Sequence, residues 1–439
     1  MIQPYFLVPR YRRVLLLVGL AFASLVFLLS FSLFEQYPEI PDTEIQWDSS
    51  YKHSLPVNDP PPPPSKPSPT DVPPEPPNSK KTKHNNTNPN PSKPILPSSR
   101  LSVSKNPLPP GKKALRGGQI DAVVTFVNGS DPSWQKARKD RLRHLGHAAT
   151  AEFQWRDNNE LVYCLRGLYS NVPQLRHIFL VVASPSQVPP WLNTNDPYIS
   201  IVYHDELFTT KSYLPTFSSY AIEANLWRIP YLSDDFIYLN DDFFIVNTLP
   251  DDLIRDSEGF AQIHIDHTKI NRPINQFRRG LINAGRILTR RFGRPKSINS
   301  WYALSHTFYV CNRQVMEETA KEFPKAYNDL QRNPFRTPSG LPHFIFLSNH
   351  FWVQKTIEQS FKGHHKAKYH KCHGGEYIYW NFHTDDDYIH KNQQYFDRIE
   401  TRGVVSICIN DDKDRTDEQQ AWINSKLLKL FPDKAIWEK

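Results

Sequence analysis

Three clusters of Asn and Asp follow apolar stretches of this sequence, and their side chains suit the binding of a metal ion and an anion. They are Asn128–Asp131, Asn240–Asp242 and Asn410–Asp412. Asn and Asp are common turn formers, so a single triplet says little about function. Carboxylates that gather at one edge of a fold repel one another, however, and a divalent cation relieves that repulsion. Hard oxygen ligands suit Mg²⁺ or Mn²⁺, which bridges a nucleotide diphosphate to the protein.

Five short apolar stretches, rich in Val, Ile and aromatic residues, predict strands before or between these clusters. They are continuous rather than alternating, which is typical of strands buried on both faces of a parallel sheet. The stretches are Ile120–Val127, His177–Ala183, Ile199–Tyr203, Phe236–Leu239 and Val404–Ile409. Helix-length segments lie between them, so the sequence predicts an α/β, Rossmann-like fold whose mostly parallel sheet is flanked by helices. Ligands of such folds bind beyond the carboxyl ends of the strands.

Three of the intervening helices have recognisable ends or faces. Asp157 is predicted to cap the first, and Thr216–Ile229 is predicted to form the second. Thr416–Gln419 is a capping box that opens the third. The first helix is predicted to bury an apolar stripe made of Leu161, Cys164, Leu165 and Leu168.

Composition and motifs exclude several classes of protein. Neither a Walker A loop nor a G-x-G-x-x-G motif follows the first strand, which excludes a P-loop kinase and a dinucleotide oxidoreductase. The 439 residues include only 4 Cys, too few for a disulfide-built miniprotein, and they allow three pairings or plain buried thiols. Residues 119–439 carry 39 basic and 37 acidic side chains, so this region is nearly neutral and no nucleic-acid partner is expected.

The first 118 residues predict an anchor and a stem. Residues 14–34 are 21 positions without a charge, long enough to span a bilayer and longer than the core of a signal peptide. Arg10, Arg12 and Arg13 precede them and keep the N-terminus cytosolic. Of the 39 prolines, 19 lie between Pro56 and Pro110, which predicts a disordered stem. The predicted segments are a cytosolic tail (1–13), a transmembrane signal anchor (14–34), a lumenal stem (35–118) and a folded domain (119–439).

Several motifs of the folded domain, taken in order, resemble the conserved blocks of the Stealth family of hexose-1-phosphate transferases. Ile120–Pro132 resembles the first block, and Arg156–Asp242 is similar to the second. Ser305-His306 followed by Arg336 resembles the third, and Cys408–Asp412 the fourth. The family includes bacterial capsular polysaccharide phosphotransferases and the catalytic core of GlcNAc-1-phosphotransferase. The resemblance implies a catalytic domain over residues 119–439.

The resemblance also implies roles for particular side chains. It makes Asp241 and Asp242 the ligands of Mg²⁺ or Mn²⁺, with Asp242 also in the catalytic set. His306 is the implied general base for an acceptor hydroxyl, and Arg336 is implied to grip phosphoryl oxygens. The implied substrate-binding residues are Asp121, Asn128, Asp131, Arg156, Asp157, Glu160, Asn240 and Asp411.

Other polar residues have plain structural explanations. Glu223 is expected to form a structural ion pair with Arg228. No spacing among the histidines at 343, 350, 364 and 365 matches a zinc signature, and these are expected at the surface or in a cleft.

The implied reaction transfers a sugar 1-phosphate from a nucleotide diphosphate sugar to a hydroxyl of an acceptor glycan or glycoprotein. The expected location is the Golgi membrane, single-pass type II, with the catalytic domain in the lumen. An ordinary metal-dependent glycosyltransferase, which releases a nucleoside diphosphate, is one alternative. A non-catalytic, stalked lectin-like protein is the other.

Overall fold

The computed structural model describes residue 101 and residues 104–145, 155–270, 275–360, 365–372, 375–411 and 414–439. These residues belong to the unit Pro91–Lys439. The predicted cytosolic tail, the anchor at 14–34 and most of the stem lie outside the described residues. Within the described part of the chain, no helix combines the length and apolarity that crossing a bilayer requires.

The described residues contain eleven strands and ten α-helices, joined by loops and short 3₁₀ turns. The strands are β1 Ile120–Thr125, β2 Leu175–Val182, β3 Ile199–Tyr203, β4 Asp235–Asn240, β5 Phe243–Ile245, β6 Phe260–Lys269, β7 Tyr302–Leu304, β8 Tyr309–Asn312, β9 Lys366–Lys371, β10 Tyr377–Asn381 and β11 Ser406–Asn410. The helices are α1 Pro132–Leu145, α2 Glu160–Asn171, α3 His204–Leu207, α4 Ser219–Glu223, α5 Gln276–Phe292, α6 Arg313–Glu322, α7 Pro324–Arg332, α8 Phe344–Ile357, α9 Tyr388–Arg402 and α10 Asp417–Leu430.

The main sheet contains the first four predicted strands, in the order β3-β2-β1-β4-β8. β1 to β4 run parallel, and β8 pairs antiparallel with β4 at the edge. β1 is buried on both faces, as its continuous apolar sequence predicted, with Ala122, Val123 and Val124 fully buried. Thr125 pairs with Asn240, so the segments that follow β1 and β4 leave the sheet at the same edge. The predicted mixed α/β fold with a mostly parallel sheet is therefore confirmed.

The last predicted strand does not belong to this sheet, which corrects the expectation that all the acidic strand ends share one sheet edge. β11 lies in a second sheet of order β10-β11-β5, parallel to β10 and antiparallel to β5. A third sheet has the order β7-β6-β9. β5 is only three residues long and follows β4 after two residues, so the chain passes directly from the first sheet into the second.

Two predicted helices differ from the structure, and the third matches it. The helix expected over Thr216–Ile229 is broken into α4 and a short 3₁₀ turn at Leu226–Arg228. The Asn225 side chain donates to the Ala221 carbonyl and takes the place of a further helical N–H group. The Thr416 capping box at the start of α10 is confirmed by the reciprocal bonds of Thr416 and Gln419.

The second difference concerns the start of α2. Asp157 does not cap this helix, because Asn159 has a left-handed backbone (φ 66°) and stands at the N-cap position. Asp157 Oδ1 accepts instead from the Asn159 N–H, at 2.9 Å. The predicted apolar stripe of the helix is confirmed, since all four of its residues are buried.

Asp121 has a structural role, which corrects its assignment to substrate binding. It is the second residue of β1 and pairs with Phe236, so it lies at the end of the strand opposite to Thr125 and Asn240. The side chain is fully buried. Arg176 of β2 binds both of its oxygens, at 2.7 and 2.6 Å, and the Ser233 N–H donates to Oδ2. This pair joins β1, β2 and the segment before β4.

We expect Asp121→Asn to lower the free energy of unfolding by about 3–5 kcal/mol, because it leaves the buried Arg176 charge without its anionic partner. Urea unfolding of the purified protein measures the change. Asp140→Asn is the matched control, because Asp140 contacts Lys136 and Arg143 at the surface. Equal unfolding midpoints for the two variants would contradict a stabilising role for the buried pair.

Candidate functional site

Asp241 and Asp242 form the two-residue link between β4 of the main sheet and β5 of the second sheet. Burial, followed by the charges of Asp242, Glu160 and Asp157, raises the pKa of Asp241 well above its usual value. Burial also raises the pKa of Asp242 to about 6. Asp242 Oδ1 is buried and accepts no hydrogen bond from the described residues. Among the described residues, neither carboxylate of the link forms an ion pair, and Asp242 Oδ1 has no hydrogen-bond donor.

Three more acids surround this link. Glu160 opens α2, and burial raises its pKa to about 7. Asp157 precedes it, and burial raises the pKa of Asp157 as well. Asp411 follows β11, and its charge contributes to the raised pKa of Asp242. The predicted convergence of acidic segments is present, although it is assembled from two sheets and a helix start.

Two arginines contact these acids. Arg415 Nη2 lies 2.8 Å from Asp411 Oδ1 and 3.6 Å from Glu160 Oε1. Arg156 Nε lies 3.7 Å from Asp411 Oδ2. Arg415 was not predicted, and the only sequence signal for it is its spacing four residues after Asp411. These cations offset the charge of Glu160 and Asp411, which leaves Asp241 and Asp242 as the uncompensated pair.

His306 lies between β7 and β8, beside the acid pair. One of its ring nitrogens, a carboxylate oxygen of Asp242 and the Cys408 sulfur lie within 4.8 Å of one another. Its ring packs edge-on against Phe243 and Tyr379, at centroid distances of 5.0 and 4.7 Å. Burial, and secondarily the charge of Arg336, lowers the pKa of His306 to about 4. The imidazole is therefore neutral above this pH, with one ring nitrogen able to accept a proton.

Arg336 is held beside α4. Its Nη2 donates to Ser219 Oγ at 2.8 Å, and its guanidinium lies over the Tyr220 ring at 4.7 Å from the centroid. Its charge acts on both His306 and Glu223. Residues of α4 thus fix a cation close to the predicted base.

Glu223 was expected to have only a structural role, but it lies within the site. It contacts Arg336 electrostatically rather than Arg228, which donates to the Tyr327 hydroxyl, so the expected structural pair is wrong. Glu223 is buried, and its Oε2 makes no hydrogen bond among the described residues. His343 Nδ1 lies 3.9 Å from this oxygen, but burial lowers the pKa of His343 to about 3, so its ring is neutral at physiological pH. Burial raises the pKa of Glu223 itself to about 7.

The segment after β1 lies at the predicted sheet edge, but Asp131 has its oxygens occupied. They accept from the Ser133 N–H and hydroxyl, Ser186 Oγ and Gln187 Nε2, and these hydrogen bonds outweigh burial and lower the Asp131 pKa to about 2. Asp131 therefore holds the turn into α1, a correction to its assignment to substrate. Asn128 Oδ1 accepts from the Ser130 N–H.

Asn240 continues the hydrogen-bond chain at the end of β4. Its Oδ1 accepts from the Tyr238 hydroxyl at 2.7 Å and from Thr125 Oγ1 at 3.4 Å. The Tyr238 hydroxyl also lies 3.4 Å from Glu223 Oε1. Asn240 thus connects the end of the main sheet to the Glu223 and Arg336 group.

The structure brings together most of the predicted set, and a few of its members lie elsewhere. Asp121 lies at the far end of β1, Asp131 belongs to the turn after it, and Asp412 lies outside the described residues. His343 and His350, expected at the surface or in a cleft, are buried. The residues that converge are Arg156, Asp157, Glu160, Asp241, Asp242, His306, Arg336 and Asp411.

All four cysteines are free and buried, so none of the pairings that the sequence allowed occurs. Two of them contact the site. Cys408 Sγ lies 3.5 Å from Asp242 Oδ2, and Cys164 Sγ donates to the Asn240 carbonyl at 3.7 Å. Their thiols line the inner side of the acid pair.

A protein-family model and several characterised proteins match this part of the chain. Conserved region 2 of Stealth proteins matches residues 154–263. An exopolysaccharide phosphotransferase of Streptomyces coelicolor is 36% identical over 230 residues, which cover 51% of this chain and 38% of that protein. A capsular polysaccharide phosphotransferase of Actinobacillus pleuropneumoniae is 32% identical over 246 residues, 54% of this chain and 66% of that protein.

The match extends further along the chain in another relative. The capsular polysaccharide phosphotransferase SacB of Neisseria meningitidis serogroup A is 28% identical over 329 residues, which cover 73% of this chain and 57% of that protein. The chain therefore spans between 38% and 66% of the length of these relatives. The matched region contains Asp157, Glu160, Glu223 and the acid pair, so the part of the chain that forms the site has the second conserved region of the Stealth family.

Proposed function

We propose that this protein transfers a sugar 1-phosphate from a nucleotide diphosphate sugar to a hydroxyl group of an acceptor glycan. The acceptor oxygen bonds to the phosphorus that carries the sugar, and the P–O bond to the nucleoside monophosphate breaks. A phosphodiester remains on the glycan. The proposal rests on the cluster in which the uncompensated Asp242 lies beside the neutral base His306, on which the charge of Arg336 also acts. The relatives are named as polysaccharide phosphotransferases, which supports the same reaction class.

A divalent cation fits the acid pair. Asp242 Oδ1 is buried without a donor, and burial together with the neighbouring carboxylates raises the pKa of Asp241, so an ion there would remove an electrostatic cost. Asp241 and Asp242 would hold Mg²⁺ or Mn²⁺, since such hard cations prefer carboxylate oxygens to the nearby sulfur of Cys408. When bound, the ion supplies positive charge to the donor diphosphate and stabilises the departing phosphate.

His306 is the proposed proton acceptor for the attacking hydroxyl. With a pKa of about 4 the ring is neutral at physiological pH, so its bare nitrogen is available to take the acceptor proton as the new P–O bond forms. The contacts with Phe243 and Tyr379 hold the ring plane. The lowered pKa makes His306 a weaker base, but it keeps the ring in the neutral form that can accept a proton.

Arg336 is the proposed phosphoryl ligand. The transition state of phosphoryl transfer spreads charge over the equatorial oxygens, and a fixed guanidinium binds two such oxygens together. Ser219 and Tyr220 hold this side chain in place before substrate arrives. Burial raises the pKa of the neighbouring Glu223 to about 7, and the charge of Arg336 opposes that rise.

The location and partners follow from the sequence. We propose a Golgi membrane protein that is anchored through residues 14–34 and presents residues 119–439 to the lumen, supported by the 21 uncharged positions after Arg10, Arg12 and Arg13. Its proposed partners are a nucleotide-sugar donor and a glycan or glycoprotein acceptor.

The deciding experiment uses a nucleotide diphosphate sugar labelled in the phosphate that bears the sugar. We expect the label to appear in the acceptor glycan together with unlabelled nucleoside monophosphate, measured after chromatographic separation. Label in a released nucleoside diphosphate would instead establish an ordinary glycosyltransferase. Binding of glycan without turnover of any donor in a screen would establish a lectin-like protein.

Removal of the proposed base or phosphoryl ligand should lower turnover. We expect His306→Gln to reduce kcat by about 10²–10⁴-fold, because a general base is lost. We expect Arg336→Lys to reduce kcat by about 10²-fold or more, because a point charge cannot replace a bidentate fork. Initial rates of nucleoside monophosphate release measure both.

His390→Gln and Arg402→Lys are matched controls, because both residues are exposed on α9. They should retain the kcat of the unmodified protein. A His306→Gln protein that is folded and as active as its control would show that another group accepts the proton.

In protein freed of divalent metal, the contribution of Asp242 and Glu160 to stability should fall as the pH rises from about 4 to 7. The native pKa values of Asp242 (about 6) and Glu160 (about 7) lie above those of the unfolded chain, so in this range these two groups bind more protons in the native state, and their contribution is lost as they release them. Mn²⁺ should therefore raise Tm more at pH 7.5 than at pH 5, as measured by thermal unfolding.

Asp242→Asn should remove the contribution of Asp242 to this pH dependence, so that Tm at pH 7.5 relative to pH 5 is higher than in the unmodified protein, and it should reduce the response to Mn²⁺. Asp252→Asn, a change of the same type at an exposed acid, should behave as the unmodified protein does. An equal Mn²⁺ response in the two variants would exclude Asp242 as a metal ligand.

A further inference from the structure

A second group of potential metal ligands lies outside the site described above, on the third sheet. β6 and β9 run parallel, and their register pairs His264 with His370. The two imidazole rings lie 5.1 Å apart between centroids. Cys372 follows β9, two residues after His370, and its N–H donates to the Ile265 carbonyl of β6. Sheet pairing therefore brings two imidazoles and a thiol to the same end of this sheet.

The Cys372 sulfur is the centre of this group. It lies 3.6 Å from His264 Nδ1. A ring nitrogen of His370, the Cys372 sulfur and a carboxylate oxygen of Glu376 lie within 4.8 Å of one another. A tetrahedral Zn²⁺ with bonds of about 2.3 Å to sulfur and about 2.0–2.1 Å to nitrogen holds these two ligand atoms about 3.5 Å apart. The spacing of His264 and Cys372 is thus close to the edge of a zinc tetrahedron.

The protonation of His264 also fits a metal ligand. Its Nε2 lies 2.7 Å from the Leu253 carbonyl, and because a carbonyl oxygen only accepts, Nε2 carries the hydrogen. Nδ1 is then bare and points to the Cys372 sulfur. Histidines that bind zinc typically donate their other N–H group to a carbonyl or carboxylate in this way. His264 is buried, so its orientation is fixed by the fold.

Two more contacts complete the surroundings. Ser305 Oγ donates to the Cys372 sulfur at 3.2 Å, a bond that would stabilise a thiolate. His370 Nε2 and Glu376 Oε2 lie 2.8 Å apart and share a proton without the ion. His370 also lines a cavity of about 460 Å³, which gives an ion a path to the group.

We propose that His264, His370, Cys372 and Glu376 bind one zinc ion, separate from the cation of the acid pair. The mixed nitrogen, sulfur and oxygen ligands favour Zn²⁺ over Mg²⁺ or Mn²⁺. Binding releases the thiol proton of Cys372 and the proton between His370 and Glu376 to solvent.

The ion has a structural role. It ties β6 and β9 to the segment before β10, where the Glu376 carbonyl accepts from the N–H groups of Val405 and Ser406 at the start of β11. On its other side, Ser305 directly precedes His306. The zinc group thus acts as a positioning element between the second and third sheets and the proposed base.

The test measures zinc by elemental analysis of the full-length protein, purified in detergent without added metal and reloaded with Zn²⁺ in the presence of excess Mg²⁺. We expect about one zinc per chain, and a decrease of about tenfold or more in Cys372→Ser and in His264→Gln. Cys408→Ser changes the thiol beside Asp242 and should retain the ion, as should the exposed control His390→Gln.

A second measurement does not depend on the folding of a variant. Co²⁺ bound in place of zinc should give a thiolate-to-cobalt charge-transfer band in the unmodified protein and in Cys408→Ser. Chelator should lower Tm in both proteins. Folded, reloaded protein without zinc, or a cobalt thiolate band that disappears with Cys408 rather than Cys372, would overturn the proposal.

Discussion

The repulsion among half-buried carboxylates at the junction of two sheets is the interaction on which the rest of the site depends. Asp241 and Asp242 stand on the link between β4 and β5, and Glu160, Asp157 and Asp411 approach them from α2 and β11. Arg156 and Arg415 offset part of this charge. An arrangement of this kind is costly for a free protein, and it persists because the surrounding core is rigid.

The other half of the site has the opposite balance of charge. Arg336, His306 and Glu223 meet around α4 and the turn between β7 and β8, where one cation faces groups that burial keeps neutral or nearly so. The positive charge of Arg336 therefore lies on one side of the site, and the carboxylates around Asp241 and Asp242 lie on the other. A substrate with a diphosphate fits between them once the acids are neutralised by a cation.

The positions of the main strands could be predicted from the sequence, because local patterns of apolar residues determine them. The pairing of strands and of charged side chains could not, because it depends on the tertiary structure. β1 to β4 are continuous apolar runs, so their positions could be read directly. β11 could not be placed in its own sheet, because β5, the strand it pairs with, has only three residues and no distinguishing pattern. Asp121 could not be distinguished from a catalytic acid, because its pairing with Arg176 depends on the register of two strands 55 residues apart.

The same distinction applies to the site. The repeated Asn-Asp-Asp triplets and the order of the motifs identified the acid pair, His306 and Arg336. Arg415 was missed, because its partners Asp411 and Glu160 come together only when separate segments of the chain pack. Glu223 was assigned to the wrong arginine for the same reason, since its partner is Arg336. The group around Cys372 could not be predicted for a related reason. The distance between His264 and His370 is set by the pairing of two parallel strands and not by their spacing in the sequence.

The shortness of the connection between β4 and β5 limits how this fold can diversify. Alternate residues of a strand point to opposite faces, so one residue added between Asn240 and Phe243 would turn every side chain of β5 over. Phe243 would then leave the His306 ring, and the side chains of β5 would lie on the opposite face of the sheet that it forms with β11. The length of this connection is therefore fixed by geometry, whereas surface loops that do not join two sheets tolerate insertions.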